Sequence, residues 1–134
     1  MYPPTTKILY ADDAPAILGY LENELNSMGY TNIVSAVDGQ DALDKLQAAT
    51  ITGKPFELVI SDWMMPKLSG LEFLKAAKAN ANIPPVPFLF LTIEADMQKV
   101  WQAIDSGVSG YIVKPLVPGI LRRKIEEIYV KHKK

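Results

Sequence analysis

The sequence predicts a three-layer α/β fold of five βα units, in which a parallel sheet of five strands lies between two layers of helices. Short apolar runs recur along the chain, and each is followed by a segment with helical periodicity, as in successive βα units. The runs ILY, LVI and FLFL show no polar alternation, which is typical of strands that are buried on both faces. The predicted strands lie at about 7–11, 32–37, 57–61, 86–91 and 110–113.

The helices between these strands are predicted from apolar residues three and four positions apart. The first helix has Pro15 in its opening turn and Gly29 near its end, positions that these two residue types favour. The apolar positions of the five helices, in chain order, are Ile17, Leu18, Leu21, Leu25 and Met28; Ala42, Leu43 and Leu46; Leu71, Leu74 and Ala77; Met97, Val100, Trp101 and Ile104; and Leu121, Ile125 and Ile128.

The five units fill the chain, which has the usual length of one domain with its own core. We therefore predict a single domain over residues 1–134, with residues 1–6 as a flexible N-terminal extension. On this prediction the chain has no room for an attached output or DNA-binding domain.

Composition excludes several classes of function. A formal net charge of -1 argues against binding to nucleic acid or anionic membrane through bulk charge. The chain contains no cysteine, which excludes disulfides and thiolate metal sites. Its start lacks the apolar stretch of a signal peptide, and no apolar run is long enough to span a bilayer. We expect a cytoplasmic protein that neither binds nucleic acid nor inserts into a membrane.

Ionisable or hydroxyl side chains stand at the ends of four predicted strands. They are Asp12 and Asp13, Asp62, Thr92, and Lys114. The carboxyl ends of parallel strands converge on one crevice, where such sheets bind ligands. Three carboxylates gathered there would repel one another unless a divalent cation joined them, and ligation by oxygen alone favours Mg²⁺. The pattern predicts a site for phosphoryl chemistry.

Right-handed crossovers restrict the topology to a few forms, and a flavodoxin-like strand order, 2-1-3-4-5, places strands 1 and 3 side by side. Asp12 and Asp13 then become neighbours of Asp62. With these residues in place, the chain resembles a response-regulator receiver domain and, within that family, a stand-alone chemotaxis-type regulator. The matching pieces cover the full length in order: ADD at 11–13, SDWMMPKLSGLEFL at 61–74, LT at 91–92 and SGYIVKP at 109–115.

The resemblance implies that Asp62 accepts a phosphoryl group from a sensor histidine kinase. A carboxylate can attack phosphorus at neutral pH without a base, because it is already ionised. The resemblance also implies a Mg²⁺ ion held directly by Asp13 and Asp62, through water by Asp12, and by the backbone carbonyl of Met64.

For the remaining residues the resemblance implies roles in sensing the phosphoryl group. Lys114 would supply a second positive charge, and the peptide bond between it and Pro115 is cis in this family. Thr92 would donate a hydrogen bond to a phosphoryl oxygen, and Tyr111 would change rotamer when Thr92 moves.

The signal would then reach a downstream output protein, either a motor switch or a phosphotransfer protein. It would pass through the face formed by the fourth predicted helix, the fifth strand and the fifth predicted helix. The candidate contact residues on this face are Lys99, Val100, Tyr111 and Lys124.

The rim of the site is predicted to be apolar. Met64 stands where many relatives carry a polar side chain near the attacking water, and Ile93 stands where a small residue is common. We expect these two residues to restrict water and to slow the loss of the phosphoryl group, with Glu94 as a competing polar influence. Trp63, which directly follows the phosphoryl acceptor, is expected to be partly exposed beside the metal.

Each of these residues also has a simpler structural interpretation. Asp12 or Asp13 could cap the first helix, and Thr92 could cap the fourth. Lys114 with the proline after it could form an ordinary turn, and Tyr111 could be a half-buried strand residue. Their occurrence together at four strand ends favours the phosphoryl site.

Three hypotheses about function remain open. The preferred one is a motility regulator acting on a flagellar motor switch; such a protein catalyses only its own phosphorylation and dephosphorylation and is otherwise not an enzyme. The second is a phosphorelay shuttle that passes its phosphoryl group to a histidine phosphotransfer protein. The third is a flavin-binding or phosphatase-like enzyme on a similar sheet. Against the enzyme, no Gly-rich loop follows strand 1, and Pro15 stands where aspartate-nucleophile phosphatases carry a second aspartate.

Overall fold

The structure of the protein is a computed structural model that describes residues 1–93, 98 and 109–132. The elements in this part of the chain are, in order, β1 (Ile8–Ala11), α1 (Pro15–Ser27), β2 (Ile33–Ala36), α2 (Gly39–Ile51), β3 (Leu58–Asp62), α3 (Gly70–Ala79), β4 (Phe88–Thr92), β5 (Gly110–Val113) and α4 (Ile120–His132). The apolar positions predicted for a fourth helix lie outside the described residues. Helix α4 is therefore the fifth of the predicted helices.

All five strands belong to one parallel sheet in the order β2-β1-β3-β4-β5, which confirms the predicted fold class and topology. The central strands are buried along their whole length, as expected for apolar runs without alternation. Ala11 of β1 pairs with Ser61 of β3, so the residues that follow each of them emerge side by side. Thr92 of β4 pairs with Val113 of β5, directly before Lys114.

The two faces of the sheet carry separate apolar cores, because successive residues of a strand point to opposite sides. One core joins the sheet to α2 and α3; its strand members include Leu9, Val59, Phe88 and Phe90. The other joins the sheet to α1 and α4; its strand members include Ile8, Ile60, Leu89 and Leu91. The predicted three-layer arrangement follows from this alternation.

The N-terminal residues, for which we expect a flexible extension, contact the rest of the domain in the structure. The Tyr2 ring lies edge-on against Tyr129 of α4, with ring centroids 5.0 Å apart. Thr6 is buried, and its hydroxyl donates to the Pro3 carbonyl at 2.6 Å. The sequence held a signal for this packing, because an aromatic ring next to two prolines combines apolar area with a restricted backbone.

None of the helices in the described part of the chain combines the length and the apolar character needed to cross a bilayer.

Candidate functional site

Three carboxylates meet at the carboxyl end of the sheet. Asp12 follows β1, Asp62 ends β3, and each of Asp12, Asp13 and Asp62 offers an oxygen within 4.8 Å of the others. Asp12 is fully buried and Asp62 is 7% exposed, whereas Asp13 is exposed to solvent. Two carboxylates held out of water beside a third form an oxygen-only donor set, which is the kind of ligand set that Mg²⁺ prefers.

Asp12 contacts the Ala14 backbone and Lys114, and it does not cap a helix. Its Oδ1 atom accepts the N–H of Ala14 at 2.9 Å, which closes a short turn after β1. The N-cap position of α1 is Ala14, and no side chain caps the helix there. The simpler interpretation, in which Asp12 or Asp13 caps the first helix, is therefore wrong. Helix α1 relies instead on Pro15 at its first position.

Lys114 lies between the two buried carboxylates. Its Nζ atom donates to Asp62 Oδ1 at 3.2 Å and to Asp12 Oδ2 at 3.4 Å. Its backbone N–H donates to the carbonyl of Thr92, and its peptide bond to Pro115 is cis, as predicted. The pairing of β4 with β5 thus brings Lys114 close to Asp62, which lies 52 positions earlier in the sequence.

Burial and charge shift the pKa values of these groups. Burial raises the pKa of Asp62, and the neighbouring Asp12 raises it further, while Lys114 opposes both. For Lys114, burial lowers the pKa, but Asp62 and Asp12 together outweigh that effect and raise it above its usual value. The lysine is therefore held as an ammonium group. The Asp62 carboxylate carries a desolvation cost that a cation would relieve.

Thr92 and Tyr111 lie on neighbouring strands near this cluster. Thr92 is buried, and its hydroxyl donates to the carbonyl of Ile93 at 3.2 Å. Tyr111 is half-buried and packs against the core shared by the sheet, α2 and α3. The Nζ atom of Lys124 lies 5.8 Å from the centre of the Tyr111 ring, so β5 and α4 share a surface. Lys99, Val100 and Glu94 lie outside the described residues.

The response regulator receiver domain family matches this sequence over residues 8–126. The chain belongs to that family. Among its relatives, the chemotaxis protein CheY of Pseudomonas aeruginosa is 35% identical over 123 residues, or 92% of this chain and 95% of that protein. The chemotaxis protein CheY1 of Helicobacter pylori strain 26695 is 32% identical over 122 residues, or 91% of this chain and 95% of that protein.

Solved structures agree with this assignment. The structure of the chemotaxis response regulator CheY4 of Vibrio cholerae has a TM-score of 0.81 and 32% sequence identity, and the match covers 92% of this chain and 98% of that one. A receiver domain protein from Clostridium thermocellum has a TM-score of 0.81 at 27% identity, covering 96% and 97% of the two chains. The resemblance predicted from four short motifs is confirmed.

The mouth of the site in this receiver domain carries two exposed apolar side chains. Met64 is 54% exposed and Ile93 is 50% exposed, and their effect on water at the site stays a prediction. Trp63, by contrast, is buried, and its ring lies edge-on to Phe90 at 5.2 Å between centroids. The prediction that Trp63 is partly exposed is wrong, because the residue after Asp62 points into the core shared with α2 and α3.

Sequence reasoning missed the residues that shape the loop after β3 in this receiver domain. Lys67 has a left-handed backbone with φ 69°, and its Nζ atom lies 3.6 Å from Asp38 Oδ2. Gly70 lies so close to Asp62 that a Cβ atom there would be 2.5 Å from the Asp62 carbonyl oxygen. Gly39, the first residue of α2, is crowded against Leu68 in the same way. A glycine at the first position of both α2 and α3 was the available sequence signal.

Proposed function

We propose that this receiver domain accepts a phosphoryl group on Asp62 from a sensor histidine kinase, with Mg²⁺ bound beside it, and then signals to a downstream protein. The observation that carries the proposal is the position of Lys114, whose ammonium group lies within 3.4 Å of both Asp62 and Asp12. A buried carboxylate flanked by a fixed cation and by further carboxylates is arranged to receive a strongly anionic group.

The donor set fits the expected metal. Asp13 and Asp62 would hold Mg²⁺ directly, Asp12 would hold it through water, and the carbonyl of Met64 would complete the protein ligands. The proximity of the three carboxylate oxygens, all within 4.8 Å of one another, supports this assignment. When bound, Mg²⁺ offsets the negative charge on the incoming phosphoryl group.

Phosphoryl transfer would proceed at the Asp62 carboxylate. An Asp62 oxygen forms a bond to phosphorus while the bond from phosphorus to the histidine nitrogen of the kinase breaks. The electron pair of the broken bond stays on the imidazole, which takes up a proton from solvent. Lys114 remains against the phosphorylated side chain and faces its new negative charge. Thr92 must release the Ile93 carbonyl before its hydroxyl can donate to a phosphoryl oxygen.

Signalling would use the surface shared by β5 and α4, where Lys124 lies over Tyr111. The relatives named as chemotaxis proteins support a role in chemotaxis. Our proposal adds a motor-switch protein as the output partner. A cytoplasmic location fits this role and a chain without cysteine. The protein would act as a switch, in which the phosphorylated and unphosphorylated states differ in partner affinity, rather than as an enzyme with a separate substrate.

The test is phosphorylation by a small phosphodonor with and without Mg²⁺, read by intact mass and by mobility in a phosphate-affinity gel. The parent protein should gain one phosphoryl group only when Mg²⁺ is present, and Asp62→Asn should gain none. Asp44→Asn, which changes an aspartate whose carboxylate contacts Gln40 on α2, is the matched control and should behave like the parent. Labelling of Asp62→Asn at the parent's rate would contradict the proposal.

A second assay separates the possible outputs. The phosphorylated protein is incubated with a histidine phosphotransfer domain, and retention of the phosphoryl group supports the motor-switch role. Rapid transfer to the histidine would identify a phosphorelay shuttle instead.

A further inference from the structure

Helix α2 begins in close contact with the loop that follows β3. A Cβ atom built on Gly39 would meet the carbonyl oxygen of Leu68, and it would lie 2.6 Å from Leu68 Cβ and 2.8 Å from the Leu68 carbonyl carbon. Two of these three atoms belong to the backbone, so no side-chain rotation can relieve the contact. Gly39 does not have the left-handed backbone that favours glycine, and it is therefore required for space rather than for conformation.

The loop held in this way, residues 63–69, is closed on itself. The Gly70 N–H donates to the Trp63 carbonyl at 2.8 Å, which joins the two ends of the loop. Within it, the Leu68 N–H donates to the Pro66 carbonyl at 2.8 Å, and Lys67 has its left-handed backbone. A displacement of Leu68 must then be taken up by the residues between the two ends, and Met64 is one of them.

We propose that Gly39 is a positioning residue for the metal site: its missing side chain lets Leu68 sit against α2, and this contact fixes the loop that presents the Met64 carbonyl beside Asp62. The inference rests on the proposed binding of Mg²⁺ by Met64 and the aspartates. It adds a residue of helix α2, 23 positions before Asp62 (62 minus 39), to the residues that determine Mg²⁺ affinity.

Two other contacts at the start of α2 do not explain the same arrangement. Asp38 caps α2 by accepting the Asp41 N–H at 2.7 Å, and that cap is independent of the side chain at position 39. The ion pair between Lys67 and Asp38 is 3.6 Å long, and the lysine side chain is 69% exposed. Exposed pairs of this kind contribute little, so the steric contact at Gly39 is the stronger constraint.

The experiment measures Mg²⁺ affinity by calorimetric titration and the free energy of unfolding by urea, both on the full chain. The parent should bind Mg²⁺, and Gly39→Ala should raise the dissociation constant at least about fivefold, equivalent to about 1 kcal/mol. Gly19→Ala is the matched control, because a Cβ atom there meets no described atom within 4 Å. A merely structural role for Gly39 would lower the stability and leave the Mg²⁺ affinity of the folded protein unchanged.

The outcomes distinguish this inference from the function on which it rests. If the parent binds Mg²⁺ and folded Gly39→Ala binds it equally well, the positioning role is overturned and the proposed function stands. If the parent does not bind Mg²⁺, both are overturned. Should Gly39→Ala fail to fold, Leu68→Gly is compared with Leu68→Ala, which keeps the Cβ atom that rests against Gly39. Weaker Mg²⁺ binding by Leu68→Gly alone supports the role, and equal binding rejects it.

Discussion

Replacement of Lys114 by methionine should destabilise the folded protein, because two buried carboxylates would lose the ammonium group that lies between them. Asp12 has a side-chain exposure of 1% and Asp62 one of 10%, so water can replace little of the lost contact. Methionine has a similar length and no charge. The substitution therefore removes the charge while leaving most of the side-chain packing in place.

The size of the effect follows from the distances. With an effective dielectric constant of about 20, charges 3.2 Å and 3.4 Å apart each give about 5 kcal/mol of gross attraction. The cost of burying the charges offsets much of this attraction. Removal of one partner from a buried ion pair typically costs about 3–5 kcal/mol. Because the Lys114 side chain is 21% exposed and thus partly screened, we expect the lower end, about 3 kcal/mol.

The assay is urea unfolding at neutral pH, followed by circular dichroism. Lys45→Met is the matched control, because Lys45 also contacts a carboxylate, Asp41 at 3.2 Å, but is 40% exposed. The control should lose no more than about 1 kcal/mol. Added Mg²⁺ should restore more stability to Lys114→Met than to the parent, because it supplies positive charge to the same carboxylates.

The pH dependence gives a second check on Lys114→Met. The folded-state pKa of Asp62 is raised, by burial first and by Asp12 second, so protonation of this carboxyl favours the folded state. That stabilisation is complete below the unfolded value of 3.8 and is lost as the pH rises through the folded pKa. Loss of Lys114 raises the Asp62 pKa further. The stability deficit of the variant should therefore be full at neutral pH and should narrow as the pH falls towards 3.8.

The contribution of Lys114 to the stability of the folded protein is lost at high pH. The folded-state pKa of Lys114 is raised because Asp62 and Asp12 outweigh the effect of burial. The stability that Lys114 gives to the folded protein is therefore complete below pH 10.5, the pKa in the unfolded chain, and is lost as the pH rises through the folded-state pKa. A deficit no larger than that of Lys45→Met, or one that stays constant from neutral to acidic pH, would refute the reasoning.

Two further predictions concern the rim and the loop. Met64→Asn and Ile93→Ala should each shorten the lifetime of phosphorylated Asp62 by about threefold or more, because each removes apolar bulk that restricts water. A threefold change corresponds to a barrier lower by somewhat less than about 1 kcal/mol. Phosphate release at the parent's rate in both variants would contradict an apolar barrier. Gly70→Ala should cost about 1–3 kcal/mol of unfolding free energy by overpacking, because its Cβ atom would lie 2.5 Å from the Asp62 carbonyl oxygen. Gly19→Ala should instead raise the free energy of unfolding by up to about 1 kcal/mol. A similar rise for Gly70→Ala would show that the loop shifts to make room for the added Cβ atom, and it would contradict the prediction.

The fold and the ends of its strands were predictable because both follow from short-range patterns. Apolar runs without alternation mark buried parallel strands, and the parallel order brings Asp12, Asp62 and Lys114 to one edge wherever the helices lie. The burial of Asp12 and the exposure of Asp13 were harder to predict from the sequence. Adjacent residues leave a strand end in opposite directions, and only the turn from Asp12 to Ala14 decides which carboxylate points inward.

The errors share a cause, which is that close contacts between distant segments leave weak traces in a single sequence. Trp63 was expected to be partly exposed because it follows Asp62, yet Phe90 of the neighbouring strand covers it. Lys67 gives no warning of its left-handed backbone, since lysine seldom adopts one. Gly39 is the clearest case, because its partner Leu68 lies in a loop 29 positions away (68 minus 39).

Under the proposed function, the hydrogen bonds at the end of β4 explain how a change on Asp62 could reach β5. The Thr92 hydroxyl donates to the Ile93 carbonyl, while the Thr92 carbonyl accepts the Lys114 N–H. If the hydroxyl turns to a phosphoryl oxygen, the Ile93 carbonyl loses this donor. The Lys114 N–H contact, by contrast, is part of the backbone and can persist. The switch would thus free one side of Thr92 while the other side keeps Lys114, and with it the end of β5, against the phosphorylated residue.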